Sequence, residues 1–177
     1  FDLYFNALIK IKKYNESEII LKKLIKQNPT KSKYIVALGR IYQESGRTAE
    51  ANKTFLDAIS NAPKDENKLR ELANDFYRFE AYDMAVNVFL HGRKILADEQ
   101  LYSFELVNIY RYKKNKAMLV QEYLNILSTT PQMLPQAQNA MSSVFEDNAD
   151  YQLLQLALLK KIQKEPQLEV FSEMLIW

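Results

Sequence analysis

The chain has 177 residues, a formal net charge of +2, one histidine and no cysteine. Disulfides, thiolate metal ligands and a cysteine nucleophile are therefore excluded, and no global field recruits nucleic acid or a membrane surface. No apolar run approaches the ~20 residues of a bilayer-spanning helix. Hydrophobic residues make up 47% of the chain, while glycines number three and prolines five. That balance predicts long helices, short connections and a substantial core.

In chain order, helices are expected at 2–12 and 16–27, followed by Pro29. Lys10, Lys12, Lys13, Lys22, Lys23, Lys26, Lys31 and Lys33 face only Asp2, Glu16 and Glu18 here, which predicts a solvated basic face, with a basic docking patch as the alternative. The next pair, 31–44 and 48–61, carries Leu38 and Tyr42 on its first helix and Ala51, Phe55 and Ala58 on its second. Residues three or four apart share a helix face, so each set forms one packing stripe. The pair 66–79 and 82–96 repeats the scheme with Leu72 and Phe76, then Ala85, Phe89 and Gly92. The pair 100–113 and 116–129 repeats it with Leu106 and Tyr110, then Leu119, Tyr123 and Ile126. Helices at 134–145 and 150–164 fit a degenerate hairpin, with Pro166 offset by one residue, and 167–177 reads as the first helix of a further unit. Asn115 and Asp150 are the expected N-caps.

These series recur every 34 residues, with Pro29, Pro63 and Pro131 on the same lattice and Ala97 in the vacant place. Small residues let paired backbones approach, aromatics fill the gap between hairpins, and proline stops the second helix. The stretch from Lys33 to Pro63 holds Leu38, Gly39, Tyr42, Gly46, Ala51, Phe55, Ala58 and Pro63. It resembles the tetratricopeptide repeat (TPR), with Ile35 where that family often has tryptophan. The following unit departs at Ala73 and Glu80, where the pattern has glycine. The one after keeps Leu106, Tyr110, Tyr123 and Pro131. The resemblance implies an all-α fold, a right-handed superhelical α-solenoid of stacked antiparallel hairpins with a concave groove lined by first helices. A single solenoid is expected over 1–177, with units near 1–31, 32–65, 66–99, 100–133 and 134–166 and the start of another at 167–177. Beginning at Phe1 and ending within an apolar pattern at Trp177, the sequence reads as an internal piece of a longer protein.

The resemblance further implies that ligand-facing residues sit on the first helices, away from the packing leucine and aromatic. By position these are Arg40 and Gln43; Arg70, Asn74, Tyr77 and Arg78; and Phe104, Asn108, Arg111 and Tyr112. Asn6, Asn74 and Asn108 share one repeat position, with Arg40 filling it between them. An asparagine both donates to and accepts from a peptide backbone, so such a row could hold an extended chain. Arg40, Arg70, Arg78 and Arg111 make this face locally basic and favour a carboxylate-bearing segment. Tyr77, Phe104 and Tyr112 are candidate apolar anchors. The alternative is that these residues form the wet face of amphipathic helices. Of the two-carboxylate clamp of chaperone-binding members only the first part is matched, by Arg70 and Asn74: Glu105, Gln136 and Ala140 stand where it needs asparagine and basic residues.

No metal, nucleophile or nucleotide motif is present, and His91, beside Gly92 on a second helix, reads as surface or packing. The acidic pair Glu71 and Asp75, one turn apart, reads as solvated. No catalytic residue, cofactor, metal or small-molecule substrate is expected. The expected function is a protein-interaction scaffold with a protein or peptide partner. An alternative is a regulatory or sensor arm of a larger enzyme or DNA-binding protein. An RNA-binding helical array fits less well, because the period is 34 and the charge is near neutral. Abundant Lys, Asn, Ile and Tyr suggest a bacterial source.

Overall fold

The computed structural model describes residues 7–177, and Asn6 with the start of the first expected helix lies outside them. The described chain is all-α and forms two compact units, residues 7–97 and 98–177.

In the first unit, a helical turn at 7–10 precedes α1 (Tyr14–Gln27), α2 (Ser32–Glu44), α3 (Thr48–Ser60), α4 (Glu66–Arg78) and α5 (Tyr82–Leu96). Connections of three residues make α2 with α3, and α4 with α5, antiparallel hairpins. Helix α2 also packs on α4, and α3 on α5, so first helices stack on first and second on second. Sequence period dictates this arrangement: the expected stripe residues Leu38, Tyr42, Ala51, Phe55, Leu72, Phe76, Ala85 and Phe89 are all buried. Phe55 and Phe76 join the two hairpins edge to face, with centroids 5.2 Å apart. Tyr42 donates to Glu18 at 3.1 Å and lies under the Arg47 guanidinium, which ties α1 to the next hairpin.

Four of the hairpin connections turn by one device. Lys12, Gly46, Glu80 and Lys114 stand 34 residues apart, and all have left-handed backbones, with φ between 54° and 81°. At each, the following N–H reaches a carbonyl five residues back: Lys13 to Leu8, Arg47 to Tyr42, Ala81 to Phe76 and Asn115 to Tyr110, at 2.8–3.1 Å. This is the Schellman ending, which satisfies helix carbonyls that would otherwise lack donors. The missing glycine at Glu80 therefore leaves the turn geometry unchanged.

The second unit contains α6 (Ser103–Tyr112), α7 (Lys116–Thr129), a 3₁₀ turn at Pro131–Met133, α8 (Leu134–Val144), α9 (Asn148–Lys164) and α10 (Glu169–Ile176). Helix α6 starts three residues later than expected. Without proline at 97, α5 ends on a left-handed Ala97, and the Asp98 carboxylate then accepts the N–H groups of Gln100 and Leu101 at 2.9 and 3.1 Å. That turn uses up 98–102 before helix can begin.

Asn115 caps α7 as expected, accepting from Met118 N–H at 3.2 Å. The cap of α9 is Asp147 rather than Asp150. Asp150 instead reaches back to the Glu146 N–H at 2.8 Å and pairs with Lys116 at 2.7 Å. The turn device is also lost here. Asn148 occupies the lattice place of Lys114 but begins a helix, after an extended Phe145. Helix α7 is consequently packed by α6, α8, α9 and α10.

Candidate functional site

In the first unit, the residues of α2 and α4 that turn away from the core carry the expected site. Along α4, Leu72, Ala73, Asp75 and Phe76 are buried, while Asn74, Tyr77 and Arg78 are exposed. Helical periodicity produces this division, because the core stripe occupies only part of the circumference. Arg70, Asn74 and Arg78 line one cleft of about 420 Å³, and Lys31 and Lys33 join them from the start of α2. Stacking of α2 on α4 brings the two lysines there.

Arg70 is held in place by Glu66 at 2.8 Å. Glu71 and Asp75 also border the cleft. Glu71 accepts from Lys68 at 2.7 Å, and Asp75 accepts from the Ser32 hydroxyl at 2.6 Å. The expectation that this acidic pair is solvated fails for Asp75, which is buried on the side facing α2. The Glu71 carboxyl is held below the ordinary carboxylate range, mainly by Lys68, with burial opposing and with added attraction from Lys31 and Lys33.

The other expected residues of this unit stand outside that cleft. The Arg40 guanidinium lies over the Phe79 ring at 4.9 Å, with Nε 3.9 Å from Glu44, and Gln43 is exposed. Tyr77 makes an edge contact with Tyr82 at 5.1 Å and stays 43% exposed.

In the second unit, Phe104, Asn108, Arg111 and Tyr112 lie exposed along α6. Spacing of four places Phe104, Asn108 and Tyr112 in one stripe, with Arg111 beside it. The two aromatics are 54% and 64% exposed, so neither is consumed by the core.

Two features escaped the sequence reading. Lys31 and Lys33 were assigned to a general lysine face, although they flank the start of a first helix that stacks on the next one. An apolar cleft of about 590 Å³ also opens between Pro29, Ile35, Ala58, Pro63 and Leu72. The lattice prolines Pro29 and Pro63 were its available signal. His91 is half-buried on α5. No helix among the described residues is long and apolar enough to cross a membrane.

The tetratricopeptide repeat family model matches residues 32–65, which are α2, α3 and the connection to α4. A comparison with curated proteins finds no match. The matched stretch coincides with the hairpin whose residues carry the repeat pattern most completely.

Proposed function

We propose that this tetratricopeptide-repeat protein, a protein-interaction scaffold by family, holds an extended segment of a partner protein on the outward faces of its first helices. Within the first unit the contact surface is Arg70, Asn74 and Arg78, flanked by Gln43, Tyr77 and Arg40. Within the second it is the α6 stripe of Phe104, Asn108 and Tyr112 with Arg111.

The observation that carries this reading is the exposure of Asn74 and Asn108 at the same repeat position, each beside exposed arginine and aromatic side chains. A carboxamide pairs with a peptide N–H and C=O at once, so it grips backbone without demanding a sequence. Neighbouring aromatics supply area that water leaves on binding, and that area dominates interface energy.

The test immobilises the chain, passes source-cell lysate over it, and repeats the capture with Asn74→Ala/Asn108→Ala. A protein retained by the wild type and lost by the double variant supports the reading. Equal retention by both moves the binding surface elsewhere on the scaffold.

A further inference from the structure

We infer that the outward face of α1, centred on Ile19 and flanked by Lys22, Lys23 and Lys26, docks on an anionic lipid surface. This face belongs to a second helix, so the inference is independent of the segment held on the first helices and leaves those faces to the partner protein.

The helix itself sets the geometry. Ser17 and Leu21 are fully buried. Ile19 lies two residues from each, and two steps along an α-helix turn by about 200°. Ile19 therefore points away from the core and is 71% exposed. Lys22, Lys23 and Lys26 follow it at helical spacing, so they stand exposed on the same side. Lys10, Ile11, Lys12 and Lys13 continue the exposed surface through the turn before α1.

Charge supplies the complementarity. Residues 7–33 carry eight lysines and two glutamates, or +6, whereas residues 34–177 carry sixteen lysines and arginines against nineteen acids, or −3. Both glutamates are engaged inside the fold. Glu16 pairs with Lys13 at 3.0 Å, and Glu18 pairs with Lys22 and Arg47 at 2.6 Å. Lys26 stands one turn from Lys22 and Lys23, a like-charge spacing that costs helix stability until an anion covers it.

Residue type chooses among anions. The outward stripe of α1 has no arginine to fork onto a phosphate or carboxylate and no aromatic ring to stack on a base. Protein interfaces favour those same residues and are poor in lysine. Lysine is a point charge on a flexible apolar stem. It follows mobile headgroups while the stem and Ile19 settle at the water–lipid boundary. The 14 residues of α1 span ~21 Å, enough to meet several headgroups at once.

The test is co-sedimentation of the chain with phosphatidylcholine vesicles, with and without phosphatidylserine, at low ionic strength. Binding only to the vesicles that contain phosphatidylserine is expected, and added salt should release it. Lys23→Gln/Lys26→Gln should weaken binding about tenfold or more. Ile19→Ser should weaken it about fivefold, through the loss of one inserted apolar side chain. Lys160→Gln/Lys164→Gln removes equal charge from exposed positions on α9 and should change it by less than about twofold. Circular dichroism of the three variants reports that the helices are intact.

No binding to the phosphatidylserine vesicles, or equal binding to both kinds, would overturn the inference. Equal weakening by the two lysine pairs would overturn it in favour of diffuse attraction. An acidic peptide or a short RNA that strips the chain from the vesicles, and whose own binding depends on Lys23 and Lys26, would overturn it in favour of a soluble anion.

Discussion

Gly39 on α2 faces the ring of Phe55 on α3 with no room for a side chain between them, so that a Cβ built at 39 would overlap the ring. Phe55 cannot easily retreat, because it is buried and packs edge to face on Phe76. Gly39→Ala should therefore destabilise the chain by about 1–3 kcal/mol, the usual penalty for overpacking. Chemical denaturation of the two proteins measures this directly. An unchanged midpoint would mean that the hairpin spreads without cost.

The turn positions give a prediction of opposite sign. Glu80 adopts φ 59° and Lys114 φ 54°, a region costly for residues with a Cβ. Gly46 holds the same place at φ 81°, and an added Cβ there would touch nothing within 4 Å, so backbone conformation alone selects the glycine. Glu80→Gly should raise stability by about 0.5–1 kcal/mol, and Gly46→Ala should lower it by about 1 kcal/mol. Thermal melting of the pair checks both signs.

Glu18 connects pH to the first unit. Its carboxyl is lowered from 4.5 to about 2, first by a hydrogen bond from Lys22 and then, against burial, by Arg47 and Tyr42. A depressed folded value means that the stabilisation is complete above pH 4.5 and disappears as pH falls toward 2. Its size is on the order of 2 kcal/mol, since the side chain is only 15% exposed. Glu18→Gln should be less stable at neutral pH. Its denaturation midpoint should also fall less than that of the wild type across this acid range.

Phe104 and Tyr112 separate folding from binding. With more than half of each side chain exposed, Phe104→Ala and Tyr112→Ala should shift unfolding by no more than about 0.5 kcal/mol. If α6 is a contact surface, the same changes should weaken partner capture by about tenfold or more. A large loss of stability instead would assign the aromatics to packing.

Much of the fold was legible because one residue set served both the pattern and the core. Leu72, Phe76, Ala85 and Phe89 recur on the lattice and are buried where the lattice puts them. Helix ends were less legible where local hydrogen bonding competes. Asp147 and Asp150 are both able to cap, and the chain, extended at Phe145, resumes helix at Asn148, where Asp147 takes the cap. Lattice position also fails once neighbours differ. Leu56 and Leu90 are 54% and 40% exposed, yet the equivalent Leu124 is fully buried, because α9 leans on α7. For the site, periodicity located Arg70, Asn74 and Arg78 on one helix. Lys31 and Lys33 belong to another helix, and their proximity depends on stacking that period alone does not display.

The enclosure of α7 sets a hierarchy of opening within the second unit. Leu119, Tyr123, Leu124, Ile126 and Leu127 are all sealed, whereas Ile176 at the end of α10 is 88% exposed. Backbone amides along α7 can meet deuterium only when several neighbouring helices detach together. Their exchange clock should run slowest in this unit, while the end of α10 exchanges by fraying alone.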